Sequence, residues 1–176
     1  LPDALRMLEI KMLGGFEVTV KGVAVMHWPR RSARHLLQLL AIAPSWKMSR
    51  SELLDALSGG DRELDLRGLS DALHALRKAL ATACDRDTAQ RLVSADADAI
   101  WLDRQQTQVD VEGFESRIHF AAGSSVPLED AMNAIRSYRG PLLASESEAL
   151  HRTMSPVRLQ LEQQYVSAAI RLADEL

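Results

Sequence analysis

One cysteine, Cys84, stands alone in 176 residues, so no internal disulfide can form and no second thiol completes a metal knuckle. That usage suits a reducing cytosol, and a cytoplasmic chain is expected. No apolar run is long enough to span a bilayer, and the first residues have neither the basic start nor the apolar core of an export signal, which predicts no membrane partner. The five histidines, at 27, 35, 74, 119 and 151, lack metal-ligand spacing, and none falls in a motif with a serine, cysteine or carboxylate partner. Asp96 and Asp98 sit in a turn and read as solvation, not as an acid/base pair. Gly14-Gly15 and Gly22 have no following Lys-Ser/Thr and no helix start beside them, so they are turn glycines and not a phosphate cradle. The tryptophans, at 28, 46 and 101, are spread through separate elements, which favours packing over a stacking platform for single strands. These absences together predict no catalysis, no metal and no cofactor.

What is present is a chain that is 47% apolar, enough for a buried core, at a length that fits two small compact units. Net charge is −3 overall but unevenly placed: residues 1–104 carry 15 Lys+Arg against 14 Asp+Glu, and residues 105–176 carry 6 against 10. The first part can meet phosphates; the second is a poor surface for nucleic acid.

From Met7, the run LEIKMLGGFEVTVKGVAV alternates apolar and polar residues on either side of Gly14-Gly15, with a second turn at Lys21-Gly22. This predicts a short antiparallel sheet. WPRRSARHLLQLLAIAP places Ala33, Leu36, Leu37, Leu40 and Ala43 at helical spacing and is closed by Pro44. In SRSELLDALSGG, Ser49 and Glu52 are spaced as a capping box, with Gly59-Gly60 ending a second, short helix. A third helix over LDLRGLSDALHALRKALAT buries Leu69, Leu73, Leu76 and Leu80 and presents Arg67, Ser70, Asp71, His74, Arg77 and Lys78 on its other side. RLVSADADAIWLD then gives two short strands, Leu92-Val93 and Ile100 to Leu102, around a polar turn. Sheet, three helices and a terminal hairpin form the order of a winged helix-turn-helix.

From Val109 the pattern is helical only. Asp110 is placed to cap a helix with Val111, Phe114, Ile118 and Ala121 on one face. Gly123 to Ser125 break the chain, Pro127 suits a first helical position, and Leu128, Met132, Ile135 and Tyr138 form the next stripe before Arg139-Gly140-Pro141. A last helix is expected from Ser155-Pro156, with Val157, Leu161, Tyr165, Ala168, Leu172 and Leu176 on one side. A first residue of Leu and a last helix without a cap predict further chain at both ends. The connection from Asp103 to Asp110 is short and lacks a Gly/Ser/Pro-rich linker, so the two parts are expected to form one continuous structured unit.

These residues resemble a known family. LGGFEVTVKG, WPRRSARHLLQLLAIAP, SRSELLDAL and LSDALHALRKAL are similar to the OmpR-type winged helix of the Streptomyces antibiotic regulatory protein family. VDVEGFE, YRGPLL and RLQLEQQYVSAAIRLADEL resemble the opening of its companion bacterial transcriptional activator domain, whose helix pairs pack like tetratricopeptide repeats. The expected class is therefore α+β, mostly α with small antiparallel β elements. Residues 1–104 would form the winged helix and residues 105–176 the start of the repeat-like domain.

The resemblance implies a regulator that binds promoter DNA and engages RNA polymerase or other protein partners, in an oligomeric state that the sequence does not specify. In such a domain the third helix enters the major groove and the wing touches a neighbouring backbone. Arg67, Ser70, His74, Arg77 and Lys78 are the candidate contacts on that helix, and Arg91 is the candidate at the first strand of the wing. Arg30, Arg31 and Arg34 read first as a solvated face. Family members usually carry a cation where this chain has Ser70, an uncharged residue where it has Asp71, and glycines where it has Ala95-Asp96-Ala97-Asp98. Acidic groups facing phosphate weaken binding, which keeps open an alternative: a degenerate winged helix that serves as a protein-interaction or regulatory module.

Overall fold

A computed structural model of the chain describes residues 6–58, 64–123, 128–144, 146 and 148–175. It divides into two compact units, one of Leu1–Ile10 with Glu17–Gln108 and one of Lys11–Phe16 with Val109–Leu176.

Strands β1 (Leu8–Lys11), β2 (Glu17–Val20), β3 (Val23–Ala24) and β7 (Thr107–Val109), which fall in the first unit except for the end residues Lys11 and Val109, form a sheet in the order β3-β2-β1-β7. The predicted alternation is present: Leu8, Ile10, Val18 and Val20 are buried while Lys11 and Glu17 are exposed. β2 and β3 pair antiparallel through the Lys21-Gly22 turn, where both residues have positive φ, 51° and 78°. That is the geometry of a type I′ turn, whose twist suits a two-residue hairpin.

Helix α1 (Arg31–Ile42) buries Ala33, Leu36, Leu37 and Leu40, and Pro44–Trp46 form a single 3-10 turn behind it. Strand β4 (Lys47–Ser49) leads into α2 (Arg50–Leu57). The Ser49 capping box is complete: the Glu52 N–H donates to Ser49 Oγ at 3.1 Å and the Ser49 N–H donates to Glu52 Oε2 at 2.8 Å. Hydrogen bonding of its carboxylate, first to the Ser49 backbone N–H and then to the Ser49 side chain, lowers the Glu52 pKa. The proposed stop at Gly59-Gly60 lies outside the described residues. Helix α3 (Leu66–Leu80) starts at Asp65, whose carboxylate accepts from the Gly68 N–H at 2.7 Å, and it buries Leu69, Leu73, Leu76 and Leu80 as expected. It packs on α1 and α2.

The next segment corrects the sequence reading. Residues Arg86–Leu92 form a fourth helix, α4, so Arg91 and Leu92 are helical and not part of a strand. Asp85 caps it, accepting from the Thr88 N–H at 2.8 Å and from Thr88 Oγ at 2.6 Å. Thr88, Ala89 and Leu92 face inward. The hairpin then comprises β5 (Val93–Ala95) and β6 (Ala99–Leu102), antiparallel, with β4 completing a three-stranded sheet on the other side of β6.

The second unit is built on three helices, α5 (Asp110–Gly123), α6 (Leu128–Ser137) and α7 (Glu148–Glu175), with α7 packed on both others. Val111 and Phe114 are buried on α5, and Leu161 is buried on α7. Tyr138 links the three helices: it lies 5.2 Å from the Phe114 ring and stacks on Tyr165 at 4.4 Å. The side chains of Ala121, Leu128 and Leu176, and the segment containing Pro127, lie outside the described residues. The expected helix start at Ser155-Pro156 is corrected: α7 begins at Glu148 and Pro156 stands inside it. A proline there removes one N–H from the helix ladder and destabilises it locally. Burial of Leu150 and Met154, six and two residues earlier, offsets that loss.

The segment Lys11–Phe16 belongs to this second unit through a set of backbone bonds. Both carboxylate oxygens of Asp110 accept from the Met12 N–H, at 2.9 and 3.0 Å, and one accepts from the Leu13 N–H at 3.0 Å. The Gly14 N–H donates to Pro141 O at 3.1 Å, the Leu143 N–H donates to Met12 O at 2.8 Å, and Leu13 bridges Leu142. Gly14 has φ +85°, and a Cβ on it would stand 2.9 Å from the backbone carbonyl of Arg139; a Cβ on Gly140 would lie 3.0 Å from Gly14 Cα. Two backbones touch where neither residue has a side chain.

Candidate nucleic-acid interface

The outward face of α3 is a single row. Arg67, Ser70, Asp71, His74 and Lys78 are all exposed and recur at intervals of three and four. This is the spacing at which helical side chains share one side. Leucines anchor the opposite side, so the row is held rigidly by the core rather than by its own contacts.

Arg77 departs from the row. It is half-buried, and its Nε and Nη2 donate to the Val93 carbonyl at 2.9 and 2.8 Å. The guanidinium thus ties α3 to the first residue of β5. Partial burial, and then repulsion from nearby Arg50, lower the Arg77 pKa; the group remains a cation. Arg50, at the start of α2, makes the matching contact with the hairpin tip. Its Nε and Nη2 donate to the Asp96 carbonyl at 3.0 and 2.8 Å, and its own N–H donates to the Asp98 carbonyl at 2.8 Å. Two arginines therefore fix the hairpin to both helices of the helix-turn-helix.

The acidic tip has a structural cause. Asp96 Oδ1 accepts from the Asp98 and Ala99 N–H groups at 2.8 and 2.7 Å, which closes the turn where glycine was absent. Those bonds, aided by Lys47 and Arg50, lower its pKa. The charge of Asp71 is likewise not isolated: Arg30 Nη1 lies 4.0 Å from its carboxylate, with both side chains more than half exposed. A solvated pair of that kind contributes little to stability, yet it reduces the negative field on the row.

Arg91 is exposed in the last turn of α4 and its Nη2 donates to Thr88 Oγ at 3.2 Å. It lines a cavity of about 430 Å³ with Lys47, Trp101, Asp103 and Arg104. Lys47 sits 5.0 Å above the Trp101 ring and Arg104 4.2 Å above that of Trp46. Arg91 is thus apart from the α3 cations. A second cavity, of about 330 Å³, joins His74, Arg77 and Lys78 to Ala81, Arg86 and Gln90. Arg50, Arg86 and Gln90 were not singled out by the sequence reading. The signal for the last two was the Asp85 cap followed by a cation and an amide four residues apart.

Among the described residues no group of three His, Cys, Asp or Glu side chains could hold a metal, and no helix is long and apolar enough to cross a membrane. Cys84 is partly buried, its thiol donates to the Leu80 carbonyl at 3.3 Å, and burial raises its pKa.

Among solved structures, that of Mycobacterium tuberculosis EmbR in complex with a low-affinity phosphopeptide shares this fold, with a TM-score of 0.69 and 21% identity over 93% of this chain. The match takes in 44% of the EmbR chain, so this chain spans less than half of EmbR's length. The fold is accordingly α+β, a winged helix followed by a helical domain. No protein-family model matches the sequence, and no curated protein does.

Proposed function

We propose that the chain is the DNA-binding and first interaction portion of a bacterial transcription regulator of the antibiotic regulatory protein type. Residues 1–104 contact promoter DNA through α3 and the hairpin wing. Residues 105–176 engage RNA polymerase or another protein partner. The observation that carries this reading is the double arginine clamp: Arg77 on Val93 and Arg50 on Asp96 hold the hairpin rigidly beside an exposed polar row. A surface fixed before binding loses little entropy on binding. The likeness to EmbR, a regulator of that family, supports the same reading.

In this scheme Arg67 and Ser70 lie in the first half of α3, the part usually aimed at base edges, while His74, just past its middle, and Lys78 meet phosphate. Arg77 acts through the wing. Arg91 reaches the backbone on the other side of the hairpin. The helical part has a net negative charge and exposes Leu159, Val166 and Ile170 along α7, which suits a protein partner better than DNA. The reading includes no catalytic step and places the protein in the cytoplasm.

A second reading, a winged helix kept as a protein-interaction module, is favoured by Asp71 in the middle of the exposed row. A mobility-shift series on genomic promoter fragments at increasing salt separates the two. Retarded complexes whose affinity falls steeply with salt support the regulator; no salt-dependent complex on any fragment supports the module.

A further inference from the structure

We propose that the concavity between α3 and α4 is a phosphate socket in which Lys78 and Arg86 neutralise, and His74 and Gln90 hydrogen-bond, one phosphodiester of a DNA backbone. The proposal rests on the DNA-binding reading above and adds α4 to the surface that contacts DNA.

The lining is chemically one-sided. His74 and Lys78 are one turn apart on α3, Arg86 and Gln90 are one turn apart on α4, and Ala81 between them leaves room rather than filling it. All four polar residues are exposed. No carboxylate lines the cavity, and among the described residues neither Lys78 nor Arg86 has an ion-pair partner. Unpaired cations converging on a concavity of about 330 Å³ create a positive potential that a protein surface normally relieves with neighbouring acids. Here the acids of the segment are occupied or absent from the cavity: Asp85 is bound to Thr88, and Asp87 is not among the lining residues.

The donor set suits phosphate. Lys78 supplies a point charge, Arg86 a planar fork able to grip two oxygens, and Gln90 an amide N–H donor. Arg77 also lines the cavity, with its guanidinium held by its two bonds to the Val93 carbonyl. The last turn of α3 lies just beyond the part expected to reach base edges, where a backbone strand leaving the groove would pass.

Two measurements test the idea. In the first, the full chain is titrated with inorganic pyrophosphate while backbone amide resonances of residues 74–90 are followed by NMR. Saturable shifts at these residues are expected, and their loss in Lys78→Ala/Arg86→Ala. No shift there, or shifts unchanged in the double variant, overturns the socket. In the second, duplex DNA binding is measured over a salt series. Arg86→Ala should lower the slope of log K against log salt by about 0.9, one phosphate contact, and Gln90→Ala should weaken binding with the slope retained. DNA binding whose slope is unchanged by Arg86→Ala overturns the backbone assignment. If pyrophosphate binds in the socket and no duplex does, the anion site stands, while its assignment to DNA and the regulator reading both fail.

Discussion

Arg77 joins α3 to Val93, the first residue of β5, through two hydrogen bonds to one carbonyl. Arg77→Ala should therefore act on geometry rather than on charge alone. A stability loss of about 2 kcal/mol is expected, the usual range for bonds to a charged group. Arg77→Lys should not restore it, because an ammonium lacks the planar fork. Lys78→Ala should leave stability nearly unchanged and reduce the salt slope of DNA binding by about one. Thermal melts and binding isotherms on the same three variants check the division. Equal stability of Arg77→Ala and parent would remove the clamp.

Gln38 is fully buried on α1, and neither its amide nitrogen nor its carbonyl oxygen has a hydrogen-bond partner among the described residues. An unsatisfied buried amide costs stability, and methionine fills nearly the same volume without polar hydrogens. Gln38→Met should raise the unfolding free energy by about 1–3 kcal/mol. Denaturant titration measures this, and a destabilised variant would mean that the amide does find a partner.

Asp85 gives a pH signature. Its bonds to Thr88, first to the hydroxyl and then to the backbone N–H, lower its pKa to about 2. Because the folded value lies below the ordinary one, the stabilisation is present above about pH 4 and disappears as pH falls toward 2. Asp85→Asn keeps an oxygen that can cap α4 but no longer titrates. The stability difference between parent and variant should favour the parent above pH 4 and shrink between pH 4 and pH 2. A difference independent of pH would contradict it.

Gly14→Ala should destabilise the protein by about 2 kcal/mol or more, since it adds a Cβ both at φ +85° and within 2.9 Å of the Arg139 carbonyl. Gly22→Ala separates the two causes, because Gly22 has φ +78° but no atom within 4 Å of its added Cβ. The excess of the first loss over the second measures the backbone approach. Equal losses would leave only conformational strain.

What could be read from sequence follows the range of each signal. The Ser49-Glu52 box, the Lys21-Gly22 turn and the leucine stripe of α3 are local, and the chain shows them within a few residues. Helix α4 has seven residues, too few for periodicity to register, although Asp85 and Thr88 announced its cap. Pro156 resembled a helix start because proline favours that position; burial of Leu150 and Met154 decides otherwise and has no local mark. The acceptors for Arg50 and Arg77 are backbone carbonyls, which any residue supplies, so no residue type pointed to the clamp. Exposed side chains on α3 were legible as a face; which of them are free could be seen only once the hairpin was in place.

The hydrogen bonds that the Met12 backbone makes to the Asp110 carboxylate and to Leu143 have a consequence for synthesis. Met12 is made roughly 130 residues before Leu143, and at about 5–20 residues per second the ribosome needs on the order of ten seconds to supply the missing partner. The Met12 and Leu13 amides wait only for Asp110, whereas the Gly14 amide and the Met12 carbonyl have only water for company until Pro141 and Leu143 have been made. Slow or paused translation between Asp110 and Leu143 would lengthen the time for which those two groups lack their partners.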